Sequence, residues 1–165
     1  MLSALVVSGI LFGINKFKKN EDKYLKFVMN FNSTAKIKIG EKEYECEVYH
    51  TDKNFTKIKI LKPKTIEGLT FLWKDGVQTA SFKNVSKNFD KLSVPEDSFL
   101  NLTVKILDSL KELSLIKLKN EDQNVSYKGK IDKFDFDITF SKDGLLKMID
   151  IPSRQVKIIF DCKPL

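Results

Sequence analysis

The stretch that decides the fold is residues 35–60, which read AKIKIGEKEYECEVYHTDKNFTKIKI. Three runs within it alternate apolar with charged side chains, and they are centred on Ile37, Cys46 and Ile58. An alternation with a period of two is typical of strands that bury one face and expose the other. Because only short polar segments separate the runs, the sequence predicts a three-stranded antiparallel meander.

The charged residues of the meander predict its register. If the shortest loops close both turns, each glutamate of the second strand lies opposite a lysine on either side. The predicted pairs are Lys38–Glu45, Lys36–Glu47, Glu47–Lys57 and Glu45–Lys59. Such cross-strand pairs contribute about 0.2–1 kcal/mol each. We therefore interpret these acids as a structural feature that fixes register, not as a catalytic pair.

Residues 63–82, PKTIEGLTFLWKDGVQTASF, form the most distinctive local sequence. Asp75-Gly76 between two strand-like runs predicts a hairpin with a type I′ turn. Trp73, the only tryptophan, comes immediately before this turn. The run that contains Trp73 is apolar at both parities, which predicts a strand covered on both faces or one whose second face lines a groove.

Residues 93–96, SVPE, predict the start of a long helix. Ser93 is the expected N-cap, Pro95 lies in the first turn, and Glu96 takes the capping-box position. The broad apolar stripe that follows predicts a helix buried across the concave face of a curved sheet. Helical spacing also predicts a short helix over residues 21–31. Further strands are predicted over residues 114–119, 125–131, 134–140, 145–151 and 156–162.

The first 14 residues carry no charged side chain. As a helix this run would span roughly 21 Å, which is the size of a signal peptide and short of the roughly 30 Å hydrocarbon core. Leu11-Phe12-Gly13 is similar to the tripeptide before the lipidated cysteine of a bacterial lipoprotein, but Ile14 follows it. The lysines after the run favour cytoplasmic retention, so export requires basic residues upstream of Met1. The alternative is that the run begins a core helix.

The composition is that of a globular protein, and 165 residues suffice for one ordinary domain. We expect residues 1–19 to be a signal-anchor or uncleaved signal-like segment, and residues 20–165 to be a single domain. The net charge of +7 would attract anionic partners. However, the lysines are spread along the chain and alternate with acids. We interpret them as a solvated surface and expect no nucleic-acid partner, because such binding is marked by clustered charge.

No constellation of catalytic residues emerges from the sequence. A catalytic triad or a histidine metal site would have to use His50, the only histidine. Asp135 and Asp137 have the spacing of neighbours on the solvated face of a strand. Cys46 and Cys162 could pair only if their strands were adjacent, with Cα atoms within about 7 Å, and we expect two buried free thiols instead. The sequence predicts a protein that is not an enzyme and needs no cofactor or metal.

The order of these features resembles the LolA-like lipoproteins of Gram-positive spore-formers, and within them the GerS-like germination proteins of clostridia. The resemblance covers residues 24–162. Its motifs are P-x-x-I-x-G-L-x-F at residues 63–71, the Asp75-Gly76 hairpin, SVPEDSF at residues 93–99 and a last strand with VKIIF. It implies an α+β fold, a strongly curved antiparallel sheet that forms an unclosed β-barrel with helices on the concave side. Ile14 departs from the lipoprotein pattern, which puts acylation in doubt.

The resemblance implies two functions. GerS-like members bind and activate a peptidoglycan N-acetylmuramoyl-L-alanine amidase of the CwlD type, in the spore cortex modification required for germination. LolA-type members carry acyl chains between sheet and helix. The thirteen phenylalanines favour the binding role, since they are expected to fill the groove that a carrier leaves empty.

We predict Phe71, Trp73 and Lys74 as a partner-binding patch, with core and turn positions as the alternative. The outer strands also allow a homodimer by strand exchange. The expected location is outside the cytoplasm, with the N-terminal segment in the membrane; in a spore-former this is the space between the forespore and mother-cell membranes.

Overall fold

A computed structural model describes residues 26–83, 85–89, 98–121 and 123–165, so the predicted N-terminal segment lies outside the described ranges. Within them the chain forms eleven β-strands and one α-helix. The helix α1 is Phe99–Ser109, and single 3-10 turns occupy Lys64–Ile66 and Pro152–Arg154. The strands are β1 Phe31–Ile39, β2 Lys42–Thr51, β3 Phe55–Lys62, β4 Thr70–Lys74, β5 Val77–Phe82, β6 Val85–Phe89, β7 Ile116–Glu121, β8 Asn124–Ile131, β9 Phe134–Ser141, β10 Leu146–Ile151 and β11 Val156–Pro164.

The strands form one antiparallel sheet in the order β6-β5-β4-β3-β2-β1-β11-β10-β9-β8-β7. The first strand thus pairs with the last strand at the middle of the sheet. In the described part of the chain β6 and β7 each pair with a single neighbour, so the sheet is not closed into a barrel. The predicted α+β class and unclosed antiparallel sheet are confirmed, although the described ranges contain one helix where several were expected.

The predicted meander is confirmed as β1, β2 and β3, but its register prediction was wrong by two residues or more. Lys36 lies opposite Glu45, not Glu47, and Glu47 lies opposite Lys59, not Lys57. Between β1 and β2 the cause is a two-residue turn of Gly40 and Glu41, in which Gly40 has a φ of 57°. Between β2 and β3 the cause is a three-residue loop, residues 52–54, because Thr51 lies opposite Phe55. The lysine–glutamate ladder itself exists. In shifted pairs, Lys62 Nζ lies 2.9 Å from Glu45 Oε2, and Lys59 Nζ lies 3.9 Å from Glu47 Oε2.

The helix predicted over residues 21–31 is absent from its described part. Phe31 begins β1, and the five residues before it are not helical. Tertiary contacts explain the difference: the Phe27 ring stacks on Phe140 with centroids 4.2 Å apart, and the Val28 N–H donates to the Gly144 carbonyl over 2.9 Å. A Cβ on Gly144 would collide with the backbone oxygen of Lys26, so only glycine permits this close approach.

The helix α1 begins later than predicted. Ser98 has an extended backbone, and its hydroxyl accepts a hydrogen bond of 3.3 Å from the Asn101 N–H. Ser98 is therefore the N-cap of α1. The prediction of Ser93 as the N-cap of this helix was wrong, because the same N-cap preferences are met at Ser98. Ser93 itself, with Pro95 and Glu96, lies outside the described residues.

The core lies between α1 and the face of the sheet that we call the inner face. Six residues of α1 are buried, among them Leu102, Ile106 and Leu107, which have almost no exposed surface. They belong to one cluster with the buried side chains of β1, β2, β3, β9, β10 and β11. Phe136 and Ile149 are typical of the sheet's contribution, since both are fully buried.

The contacts of α1 require the sheet to be curved. Trp73 of β4 hydrogen-bonds Asn101, whereas Asp132, in the turn between β8 and β9, pairs with Lys105 over 2.7 Å. In the strand order these two parts of the sheet are six to seven spacings apart, which in a flat sheet is roughly 30 Å. Asn101 and Lys105 are only about 6 Å apart along the helix axis. Both flanks can reach one helical turn only if the sheet bends, so the predicted curvature is confirmed.

Candidate partner-binding surfaces

The β4–β5 hairpin carries the three residues predicted as a partner-binding patch, Phe71, Trp73 and Lys74. The φ angles of Asp75 and Gly76 are 49° and 79°. Positive φ at both central residues is the mark of a type I′ turn, which matches the right-handed twist of the flanking strands. The predicted hairpin and its turn are confirmed.

Phe71 and Trp73 lie on the inner face of β4, opposite Ile58 and Thr56 of β3. Both rings are partly buried against the core, and their centroids are 6.1 Å apart. Trp73 Nε1 donates a hydrogen bond of 3.2 Å to Asn101 Oδ1 on α1. The tryptophan therefore ties the hairpin to the helix.

Lys74 lies on the opposite, outer face of β4, across from Phe55. The structure therefore brings Phe71 and Trp73 together but does not place Lys74 on the same surface. The sequence alone implies this separation, because successive side chains of a strand point to opposite faces. Positions 71 and 73 therefore share a face, and position 74 lies on the other.

Lys74 belongs to a group of residues that sequence analysis missed. We call Tyr49, Thr51, Lys53, Phe55 and Lys74 the outer-face cluster. These residues line a surface depression of about 300 Å³. The rings of Tyr49 and Phe55 meet edge to face, with centroids 5.6 Å apart and planes at 89°. Cross-strand pairing of β2, β3 and β4 brings four of the five together, and Lys53 lies in the turn between β2 and β3.

The two lysines of the outer-face cluster, Lys53 and Lys74, form no ion pair with a described residue, although, besides Lys111, the charge of Lys53 helps to lower the pKa of the neighbouring Asp52. Asp52, which is adjacent to Lys53 in sequence, is engaged elsewhere: its carboxylate lies 3.0 Å from Lys111 Nζ. This hydrogen bond and the charge of Lys111 lower the pKa of Asp52. The cluster thus combines two aromatic rings with two available cations.

The two edges of the sheet expose apolar side chains. On β7, Ile116 is 68 % exposed and Leu118 is 50 % exposed; on β6, Val85 is 71 % exposed. Each edge strand has an unpaired side within the described chain, where main-chain groups are available to another strand. Exposed apolar residues on such an edge are typical of surfaces that bind a partner by strand addition.

His50 lies in the core at the contact between β2 and α1. Its side chain is fully buried, and its Nδ1 lies 2.8 Å from Thr56 Oγ1 and 4.0 Å from Asp108 Oδ1. Nε2 is buried and has no hydrogen-bond partner among the described residues. Burial lowers the pKa of His50 to about 4, against a small opposing effect of the Asp52 charge. Burial also raises the pKa of the Asp108 carboxyl. His50 is therefore a neutral core residue at neutral pH.

Cys46 and Cys162 are buried free thiols, as predicted. They lie on β2 and β11, which flank β1 on opposite sides. Two strand spacings, about 9.6 Å, separate these strands, and this distance is too long for a disulfide. Burial raises the pKa of Cys46 to about 12 and that of Cys162 to about 11, so both thiols stay protonated.

The described ranges contain neither a metal-binding group of side chains nor a membrane-spanning helix. No group of three or more His, Cys, Asp and Glu side chains in these residues could hold a metal ion. No helix in these residues is long and apolar enough to cross a membrane.

The comparisons with known proteins identify structural neighbours only. No family model and no curated protein matches the sequence. An uncharacterized conserved protein from Thermus thermophilus superposes with a TM-score of 0.51 at 12 % identity, over 84 % of this chain and 81 % of that chain. At this identity the likeness shows a shared fold alone.

Two further solved structures overlap less closely. A DUF1329 family protein from Desulfovibrio piger ATCC 29098 has a TM-score of 0.47 at 14 % identity, over 86 % of both chains. The LolA superfamily protein NE2245 from Nitrosomonas europaea has a TM-score of 0.44 at 12 % identity, over 84 % of this chain and 86 % of that chain. We draw no conclusion from similarities at this level.

Proposed function

We propose that the protein is a non-enzymatic, exported binding protein that binds and activates a peptidoglycan N-acetylmuramoyl-L-alanine amidase of the CwlD type. The observation that carries this proposal is the apolar, unpaired edge of the sheet at β7, where Ile116 and Leu118 are exposed. A partner strand added there would gain main-chain hydrogen bonds and cover both side chains. The amidase as partner rests on the sequence resemblance to GerS-like proteins.

The packed interior supports a binding role over a carrier role. Leu102, Ile106 and Leu107 of α1 fill the space against the middle of the sheet and are fully buried. Native protein cores leave few voids. An acyl chain could enter this part of the interface only by displacing the helix.

The proposal has two further parts. A homodimer would form if two copies exchanged or added strands at β6 or β7. The location is the space outside the cytoplasmic membrane, with residues 1–19 as the anchor. The homodimer rests on the open edges of the sheet, and the location rests on the sequence resemblance.

The test is a pull-down of the amidase with the full chain, followed by an assay of amidase activity. We expect complex formation and increased activity. The double variant Ile116→Lys/Leu118→Lys should weaken binding about tenfold or more, because it places charge on the apolar contact. The matched control is Ile159→Lys, a residue that is 52 % exposed on the outer face of β11, away from both edges. Equal loss in both variants, or no complex with the wild type, would refute the proposal.

A second candidate function is an acyl-chain carrier, and one observation favours it. Beside the filled interior, a group of apolar side chains around β4 and the start of α1 is only partly buried. The group consists of Tyr44, Ile66, Leu69, Phe71 and Phe99. Stoichiometric binding of a fluorescent fatty acid, lost in Phe71→Asp, would support this role, and the absence of binding to the full chain would exclude it.

A further inference from the structure

We propose that the outer-face cluster, together with Val77, docks on the headgroups of an anionic lipid bilayer. The inference rests on the membrane-anchoring part of the proposed function. It adds a second contact with the membrane, made by the folded domain itself.

The cluster lies at the end of the sheet where the chain enters from the N-terminal segment. Asn30 Oδ1 accepts a hydrogen bond of 2.9 Å from the Asp52 N–H, which places the residues before β1 beside the β2–β3 turn. The Asp75 N–H donates to the Asn54 carbonyl over 3.3 Å, which joins the β4–β5 turn to the same end. Lys53 belongs to the first of these turns.

The length of the connecting chain keeps this end close to the membrane. Twelve residues lead from Ile14, the last residue of the apolar run, to Lys26. Even a fully extended chain of that length spans no more than about 40 Å. A bilayer that holds residues 1–14 therefore lies within about 40 Å of Lys26, which is at the same end of the sheet as the outer-face cluster.

The chemistry of the cluster matches the lipid interface. The Tyr49 ring favours the headgroup level, where its apolar body and its polar hydroxyl are both accommodated. The Phe55 ring, which meets Tyr49 edge to face, adds apolar surface beside it. Val77 lies opposite Lys74 at the rim of the hairpin and is 54 % exposed. Lys53 and Lys74 supply the positive charge that attracts anionic headgroups. Since apolar and cationic groups outnumber the two hydroxyls of the cluster, a lipid surface fits better than an acidic glycan.

Two acids lie beside these lysines. Asp52 is paired with Lys111, so the acid that opposes the attraction without an ion-pair partner among the described residues is Asp75. Asp75 occupies the β4–β5 turn, next to Lys74 in sequence. Its φ of 49° is also readily adopted by asparagine, so Asp75→Asn removes the charge without strain. If the proposal is correct, this variant binds anionic vesicles more tightly than the wild type.

The experiment measures binding of the full chain to phosphatidylcholine vesicles with and without phosphatidylglycerol, at low and high salt. We expect phosphatidylglycerol to increase the affinity, and salt to reverse the increase. The double variant Lys53→Ala/Lys74→Ala should lower the phosphatidylglycerol-dependent part of the vesicle affinity about tenfold. The matched control is Lys38→Ala/Lys157→Ala, which removes the same charge from a cross-strand pair on the outer face, nearer the opposite end of the sheet. The control should change the affinity by less than a factor of two.

The outcomes separate the two levels of the proposal. Binding to neutral vesicles measures insertion of the N-terminal segment, so a lack of this binding would contradict anchoring. The salt-dependent part of the affinity for anionic vesicles would still test the cluster. Equal losses of vesicle affinity in the two double variants would mean that the lipid responds to the overall charge of the protein. This result would overturn the docking site. The proposal is also overturned if the cluster variant loses binding to soluble acidic peptidoglycan fragments or single-stranded DNA but not to vesicles.

Discussion

The middle of the sheet and the β4–β5 hairpin obey the same alternation but differ in burial. In β1 and β11 every inward side chain is buried over residues 31–37 and 156–162. In the hairpin only Gln78 is buried, and the other inward residues are partly exposed. The difference arises because α1 covers the middle of the sheet, whereas Trp73 is the hairpin's hydrogen-bonded link to that helix.

This difference indicates where stability and binding are located. A fully buried side chain is removed from water on all sides, so its loss leaves a cavity as well as lost apolar contact. A half-buried side chain can lose the same atoms at lower cost, because solvent or a partner fills the space. The hairpin can therefore change contacts on binding while the middle of the sheet stays folded.

The largest expected effect tests this comparison directly. Phe136→Ala in the middle of the sheet should lower the free energy of unfolding by about 4 kcal/mol, whereas Phe71→Ala in the hairpin should lower it by about 2 kcal/mol. Both substitutions remove the same atoms, so each serves as the control for the other. Urea unfolding curves give both values. Equal losses would show that the hairpin is as much a part of the core as the middle of the sheet.

The second prediction concerns pH and uses His50, the buried titratable group where β2 meets α1. Its pKa falls from 6.5 to about 4 on folding because burial disfavours the charged form. Above pH 6.5 the imidazole is neutral in both states and has no effect. Between pH 6.5 and 4 the unfolded chain binds a proton that the folded protein does not, so stability falls as the pH falls. Below pH 4 the full loss reaches about 3 kcal/mol.

The variant His50→Gln isolates this contribution, since it keeps a polar group beside Thr56 and does not titrate. We expect unfolding free energies measured from pH 8 to 4 to fall more steeply for the wild type than for the variant, within the window from 6.5 to 4. Carboxylates that do not interact with His50 titrate alike in both proteins and cancel in the difference. Parallel curves would mean that His50 is protonated in the folded state with no penalty.

The third prediction concerns the link between the hairpin and the helix. Trp73→Phe retains an aromatic ring but removes the Nε1–H that donates to Asn101. We expect a loss of about 1 kcal/mol, the net contribution of one hydrogen bond, and thermal unfolding followed by circular dichroism will measure it. A loss as large as that of Phe136→Ala would place Trp73 in the core and contradict the comparison.

The sequence predicted those features that local patterns determine. Period-two alternation located β1, β2 and β3, and Asp75-Gly76 located the hairpin turn, because both signals depend on neighbouring residues. The alternation also placed Lys74 on the opposite face from Phe71 and Trp73, which the prediction of a single patch overlooked. These features required no knowledge of distant contacts.

Features determined by distant contacts could not be predicted. A shift of two residues preserves the buried face, so the alternation could not distinguish Lys36–Glu45 from Lys36–Glu47. Residues 21–31 have helical spacing, but contacts of Phe27 with Phe140 keep the described part out of a helix. The outer-face cluster joins Tyr49 to Lys74, which only the pairing of β2, β3 and β4 brings together.

The smallest expected effect concerns the outer face of the meander. There the lysine–glutamate ladder fixes the strand register but adds little to the stability. Lys62 and Glu45 form its shortest ion pair, at 2.9 Å, but their side chains are 65 % and 37 % exposed. Water and salt screen such a pair, and both side chains lose freedom on forming it, so we expect a coupling of about 0.5 kcal/mol or less. A double-mutant cycle with Lys62→Ala and Glu45→Ala measures it, and the value should decrease in high salt. A coupling above about 1 kcal/mol would mean that the outer face also stabilises the sheet. A coupling of about 0.5 kcal/mol or less would mean that the meander draws its stability from its buried face and not from the ion pairs on its outer face.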